Sequence, residues 1–289
     1  MKNYKDLTIF FVSYYSKSNI EKLIKKINKK IKILIIDNAK EKNLKNYFEK
    51  KFKNVRVIVN QFNSGQTGGI NTGFKNIKTI YGLYMDSDVR FNSKTIDKFL
   101  NTANKIKDFI ILAPQHERNF YKNDFFSTKY NQFKEFNLMK LVHGQFLFFN
   151  MKNVKKVGYY DEKIFLYYEE TDFCLRAYKK NQKIYVLPKI KVEHLGGKSV
   201  NLKNELEIEY NKHWHYMWSK FYYFKKNYST IYAYKNTFLD FLISLFKFFI
   251  FYFFDKRKKV IYFNRISGLI HSYIGNKSFK RIKIPQKIT

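Results

Sequence analysis

The chain is poor in cysteine, proline and acid. A single cysteine, Cys174, excludes an intramolecular disulfide framework and fits a reducing compartment. Three prolines and little alanine, beside over-used Lys, Asn, Ile, Phe and Tyr, mark a compositional bias. That bias accounts for much of the formal charge of +33, which comes from 56 Lys and Arg against 23 Asp and Glu. Such a field favours anionic partners. The lysines are spread along the polar sides of expected helices, so the charge carries functional weight only near the C-terminus. A secretory leader is not expected: Met1 to Asp6 is polar, and the apolar run Leu7 to Val12 is too short. Two phosphate-binding loops are missing as well. No Gly-x-Gly-x-x-Gly follows the first expected strand, and no Gly-Lys-Ser/Thr ending closes a Walker loop.

What is present is an alternation of apolar strands and amphipathic helices. Strands are expected at Leu7 to Val12, Ile31 to Ile36, Val55 to Val59, Leu83 to Met85, Ile110 to Ala113, Phe146 to Phe149 and Lys183 to Leu187, the last ended by Pro188. Helices are expected from the capping-box pattern at Ser18 to about Lys29, then over Lys42 to Phe52, Ser93 to Lys107 and Thr171 to Asn181. This order predicts a mainly parallel sheet covered on both faces. At 289 residues the chain holds one large domain or a domain with an appendage.

The chemistry concentrates at a few places. An apolar run ends in Asp86-Ser87-Asp88, which delivers two carboxylates to the mouth of an α/β sheet. Paired hard oxygens suit Mg²⁺ or Mn²⁺, and the same tripeptide also reads as an ordinary turn and helix cap. Asn60 to Gly73 holds four glycines in nine residues, Gly65, Gly68, Gly69 and Gly73, which let backbone approach a ligand closely; the same stretch also reads as a flexible loop entering a helix. The stretch Asp161 to Asp172 packs five carboxylates into twelve residues. Glu169, Glu170 and Asp172 fall at a helix start, where they complement the dipole, and a carboxylate beside aromatics can also serve as a general base. Arg176, four residues after Asp172, is placed for an i,i+4 ion pair. His194 follows a strand and precedes Gly196-Gly197, where a third metal ligand could project. Gln115 to Lys140 lacks periodicity and is read as a long excursion suited to substrate contacts.

These motifs, in this order, resemble family 2 glycosyltransferases of the GT-A fold, and most nearly their rhamnosyltransferase-like bacterial members. The resemblance runs from Leu7 to Ser199: Asp37-Asn38; Asn63-x-Gly65 to Gly69-x-Asn71-x-Gly73; Asp86-Ser87-Asp88; Gly158-x-x-Asp161-Glu162; Tyr168-Glu169-Glu170-Thr171-Asp172-x-x-x-Arg176; His194 with Gly196-Gly197-x-Ser199. It implies an inverting transferase that uses a nucleotide-diphosphate sugar, dTDP-rhamnose or a UDP-hexose, with Mn²⁺ or Mg²⁺. Asp37, with Asn38, would meet the nucleotide base. Gly65, Gly69 and Asn71 would lie against the nucleotide sugar. Asp86, with Ser87, would face the ribose or the metal, while Asp88 and His194 would be metal ligands. Glu170 stands where the family usually has the aspartate base, with Asp172 as the alternative. The implied acceptor is a hydroxyl of a bacterial surface glycan such as a lipopolysaccharide, or a lipid-linked precursor.

The resemblance implies a GT-A domain over 1–205, with a nucleotide-sugar half to about 113 and an acceptor half from 114. Residues 206–289 read as a C-terminal helical appendage, aromatic and basic. The paired His213 and His215 do not share a helix face, which argues against a metal pair there. Phe238 to Phe254 is strongly apolar, with a narrow polar stripe at Asn236, Asp240, Ser244 and Lys247, followed by Lys256-Arg257-Lys258-Lys259. Such a helix suits an anionic membrane interface or a homo-oligomer contact through 232–275, and its seventeen residues also stand at the short limit of a membrane span. The expected place of work is cytoplasmic, peripheral at the inner face of the membrane. Rival readings are an inactive relative, or a basic protein that binds nucleic acid or a membrane. No nucleic-acid motif appears, so a nucleic-acid partner is not expected. A sugar-phosphate nucleotidyltransferase would need a Gly-rich basic loop where Ser13-Tyr14-Tyr15-Ser16-Lys17 stands.

Overall fold

The computed structural model describes residues 3–116, 131–196 and 205–282. By its internal contacts the chain divides into two compact units, residues 1–160 with 173–201, and residues 161–172 with 202–289. The expected cut at 205 left residues 161–172 with the first unit; the structure groups them with the C-terminal helices.

The first unit is built on a nine-stranded sheet. Four strands, β1 (Leu7–Ser13), β2 (Lys32–Asp37), β3 (Val55–Val59) and β4 (Tyr81–Met85), run parallel in the order β3-β2-β1-β4. The short β5 (Val89–Arg90) follows, then β6 (Ile111–His116), β7 (Asn137–Met139), β8 (Phe146–Asn150) and β9 (Ile184–His194). β8 runs antiparallel between β4 and β6, β6 and β9 are parallel, and β5 and β7 pair antiparallel with β9. The sheet is therefore mixed: parallel in its first half, as the sequence led us to expect, and of both senses in its second.

Near-continuous apolar strands such as β1 and β8 mean that both sheet faces are covered. One face takes Ile20 and Leu23 of α1 (Lys17–Ile24), Phe48 of α2 (Leu44–Lys51) and Phe99 of α4 (Thr95–Lys105). The other takes Phe74 of α3 (Gly65–Asn76), Val154 of α5 (Met151–Val157), and Phe173 and Ala177 of α6 (Glu169–Lys179).

Three local expectations are corrected. α1 starts at Lys17, with Ser16 in the cap position, and stops at Ile24 rather than near Lys29. The glycine-rich stretch enters a helix earlier than expected, at Gly65, so all four glycines lie within α3 rather than in the loop before it. A Cβ on Gly69 would sit 2.5 Å from Val12 Cγ1, and one on Gly73 would sit 2.5 Å from Phe10 Cδ2, so α3 lies closer to β1 than a side chain permits. Pro188 does not end its strand. β9 continues to His194 through an irregularity in which Leu187 pairs Pro114 and Lys191 pairs Gln115, and Pro188 falls in the unpaired gap that a residue without N–H can occupy. Of the expected Gln115 to Lys140 excursion, residues 117–130 lie outside the described residues, and the rest includes β7. Gly197 and Ser199 also lie outside them.

The second unit gathers three helices, α7 (Glu205–Asn227), α8 (Thr230–Phe254) and α9 (Lys256–Tyr273), around Met217, Phe221, Ala233 and Leu269. α9 crosses α7 at Gly268, where a Cβ would collide with the carbonyl of Trp214.

Candidate active site

Parallel strands of one sheet end at one edge, so β2 and β4 deliver Asp37 and Asp86 from neighbouring positions around β1. Asp86 follows the last residue of β4, and its amide donates to the Gln145 carbonyl. Asp88 precedes β5, whose antiparallel pairing sets Val89 opposite His194, the last residue of β9. The Leu195 amide donating to the Asp88 carbonyl closes the same ladder. Two segments a hundred residues apart in sequence thus meet through sheet pairing.

The three expected metal ligands come together. One ligand atom from each of Asp86, Asp88 and His194 lies within 4.8 Å of the others. His194 Nε2 is 3.2 Å from Asp88 Oδ1 and 3.7 Å from Asp86 Oδ2. The Asp88 side chain is 1% exposed, against 22% for Asp86 and 26% for His194, so the cluster opens outward through those two. Burial pushes the Asp86 carboxyl up to about 6; the Tyr84 hydrogen bond opposes this and the negative charge of Asp88 adds to it. Two carboxylates crowded together are electrostatically costly alone and, with an imidazole nitrogen beside them, well suited to a divalent cation. Oxygen ligands with one nitrogen fit Mn²⁺ or Mg²⁺ that shares the remaining positions with a substrate phosphate.

Two side chains that the sequence did not single out hold Asp86. Tyr84 donates its hydroxyl to Asp86 Oδ1, and Gln66 Nε2 donates to the same oxygen at 3.2 Å and to the Tyr84 hydroxyl oxygen. The period-2 alternation of a strand puts Tyr84 and Asp86 on one face. That signal was readable, whereas Gln66 could be placed only once its segment was known to be helical.

The expected base-binding pair closes the second strand. Asp37 accepts from the amides of Ala39 and Glu41, both at 2.9 Å, and burial holds its carboxyl above the usual range. Asn38 is buried; its Nδ2 donates to the Gly65 carbonyl, and its Oδ1 accepts from Asn60 and Ser64. It therefore ties β2 to the start of α3. Beside Asp37, Glu41 has a buried Oε2 with no hydrogen-bond partner, and burial followed by the Asp37 charge raises its carboxyl. Asn71 is buried, donates to the Tyr160 carbonyl and accepts from the Tyr160 amide, so it staples α3 to the Gly158 turn. Ser87 is buried between the two aspartates. Arg176 donates to the carbonyls of Val157, Gly158 and Tyr159.

Glu169, Glu170 and Asp172 belong to the second unit and form the first turn of α6. Just before them Tyr167 and Tyr168 have φ of 66° and 69°, a left-handed conformation that costs a non-glycine residue about 1–3 kcal/mol and is found where surroundings enforce it. Here α7 enforces it. Phe165 stacks on His215, Ser219 donates to the Leu166 carbonyl, and Tyr168 packs against Tyr216 and Tyr223. Lys226 Nζ reaches Asp161 at 2.8 Å and Asp172 at 2.7 Å, and Asn227 donates to Asp172 at 3.0 Å. Asp172 is fully buried, while Glu169 is buried and Glu170 is partly open. Burial, then the charges of Glu169 and Glu170, raise the Tyr167 hydroxyl above its ordinary value.

A strand-borne Asp-x-Asp meeting a histidine at the open edge of a mixed α/β sheet sets the frame for comparison. The family model described as Glycosyl transferase family 2 matches residues 8–158, more than half of the chain. The chain belongs to glycosyl transferase family 2. A curated relative, the low-salt glycan biosynthesis hexosyltransferase Agl10 of Haloferax volcanii, is 24% identical over 197 residues, 61% of this chain and 62% of the relative. The match thus spans less than two thirds of that protein. Among solved structures, the mannosyltransferase PcManGT from Pyrobaculum calidifontis in complex with GDP-Man and Mn²⁺ superposes with a TM-score of 0.57 at 10% identity, covering 92% of this chain and 86% of that one. GalNAc-T7 with UDP, GalNAc and Mn²⁺ superposes at 0.55 and 13% identity, over 78% of this chain and 51% of that one. At these identities the two structures establish a common fold, the GT-A fold expected from the sequence.

Proposed function

We propose that this family 2 chain is an inverting glycosyltransferase that moves a hexose from a nucleotide-diphosphate sugar to an acceptor hydroxyl. The observation that carries the reading is the meeting of Asp86, Asp88 and His194 at the sheet edge of a family 2 domain. Asp88, His194 and Asp86 would hold Mn²⁺ or Mg²⁺, with Tyr84 and Gln66 fixing the Asp86 carboxylate. When bound, such a cation supplies charge neutralisation for the departing diphosphate. Asp37, and the nucleotide-facing surface from Gly65 through Gly69 and Asn71 to Ser87, are assigned to the donor. The solved relatives carry GDP-mannose or UDP; dTDP-rhamnose and UDP-hexoses are the donors to screen first.

Glu170 is assigned as the base. It takes the proton of the acceptor hydroxyl as that oxygen bonds to the anomeric carbon and the bond from that carbon to the phosphate oxygen breaks. Attack from the face opposite the leaving group inverts the centre. Asp172 is the weaker choice, because a carboxylate tied to Lys226 and Asn227 in a buried site is committed to holding structure. The acceptor we assign is a surface glycan or its lipid-linked precursor, met at the cytoplasmic face of the membrane. The glycan-biosynthesis hexosyltransferase among the relatives supports that class.

The test is a thermal-shift and donor-hydrolysis screen of nucleotide sugars, with and without Mn²⁺, on wild type and Asp88→Ala. One donor should raise stability by about 2.7 kcal/mol at a hundred times its Kd, only with metal. The variant should lose the effect while remaining folded. Stabilisation by no donor, with metal present, would defeat the reading.

A further inference from the structure

α8 is built inside out. On a helix of a water-soluble bundle the apolar stripe faces the neighbours and the polar stripe faces water. Here the residues of α8 buried against α7 and α9 are Ala233, Thr237 and Ser244. The middle of the polar stripe is turned inward: Asp240 takes the Lys220 ammonium at 2.5 Å and Ser244 accepts from Arg265 Nε at 3.2 Å, while the exposed Lys247 lays its ammonium over the Tyr262 ring. The opposite face carries Leu239, Phe246, Phe249, Phe253 and Phe254, each between 62% and 84% exposed. At a mean hydropathy of 1.8 with 11% of its most apolar window buried, this is the one helix among the described residues long and apolar enough to cross a membrane.

Charge selects the occupant. The apolar face is bordered by Lys235 at one end and Lys256 to Lys259 at the other, with Lys258 and Lys259 set over the rings of Phe251 and Tyr252. A second copy of a chain with charge +33 would bring like-charged borders together. An anionic lipid surface complements them, each lysine near the surface contributing about 1 kcal/mol. The flanking helices select the pose. α7 and α9 pack along one side of α8 and present Lys212, Lys220 and Arg265, so this side cannot enter hydrocarbon without dragging those charges with it. We propose that α8 lies in the plane of an anionic bilayer, its Phe-rich face sunk into the acyl boundary and its lysine borders on the headgroups. The proposal rests on the second unit alone and stands apart from the transferase reading.

The test is co-sedimentation of the full-length protein with vesicles of phosphatidylcholine, with and without phosphatidylglycerol, at rising salt. The wild type should bind the anionic vesicles, and salt should weaken binding. The double variant Phe246→Ser/Phe249→Ser should bind at least tenfold more weakly. Its melting temperature should be unchanged, because both rings are already exposed. Lys258→Glu/Lys259→Glu should lose the preference for phosphatidylglycerol. Absence of wild-type binding, or unchanged binding by the Phe variant, would overturn the proposal. So would a wild-type dimer that the Phe variant converts to a monomer without any vesicle binding, since a second copy would then be the occupant. Donor hydrolysis in detergent-free solution should be the same for the Phe variant and wild type, which separates this failure from failure of the transferase reading.

Discussion

Asp86 owes its position to its neighbours more than to its own place in the sequence. Tyr84 and Gln66 both donate to it, and removing an outer partner of a metal-binding carboxylate typically costs 10–100-fold in metal affinity. Tyr84→Phe should therefore weaken the Mn²⁺ requirement curve about tenfold, read as the Mn²⁺ concentration for half-maximal donor-induced stabilisation. The fold should remain unchanged. His215 makes a separate prediction. Its ring is buried, stacked on Phe165 and bonded to Ser278 Oγ and the Lys280 carbonyl. Burial, joined by the Arg281 and Lys280 charges, pushes it down to about 3. Below about pH 6.5 the unfolded chain takes up a proton that the folded chain refuses, so stability falls as pH drops toward 3. Melting curves from pH 7 to pH 4 should show a loss on the order of 3 kcal/mol from this ring, and His215→Gln should flatten that slope. At this scale the ligand trio was legible because carboxylate spacing and a strand-end histidine are local signals. Gln66 was not, because its role depends on a helix that four glycines disguised.

Those glycines are best judged as part of α3. Gly69 and Gly73 face Val12 and Phe10 of β1, and a methyl group on either would need the sheet to give. Gly73→Ala should destabilise by about 1–3 kcal/mol, the usual cost of overpacking, measured by urea unfolding. The helix-breaking reputation of glycine explains the loop expectation; close packing of helix on sheet overrode it. The seven long apolar strands were legible, since runs buried on both faces need no partner to be recognised, whereas the short β5 and β7 and the extension of β9 past Pro188 exist only through pairing and were not. Pairing senses were not legible, because β8 and β9 are matched by contacts distant in sequence. The clamp on α6 was likewise invisible beforehand: nothing local connects Lys226 with Asp161 and Asp172. Lys226→Met should leave a buried carboxylate uncompensated, cost roughly 3–5 kcal/mol, and, if Glu170 is the base as proposed, lower transfer activity by displacing it. Lys226→Arg should restore part of both losses.

Taken whole, the chain is not a catalytic domain with a tail. The sequence placed the division near residue 205, where composition shifts, and composition cannot report that an internal stretch of twelve residues leaves its neighbours to join helices that come later. That interleaving sets a rule for recombining this protein with its relatives. A graft of foreign C-terminal helices onto residues 1–201 would arrive without the lysine, serine and tyrosines that residues 161–172 were shaped to fit. The transplantable cassette is discontinuous: whoever exchanges the C-terminal helices must exchange Asp161 to Asp172 with them, and with those residues the proposed base itself.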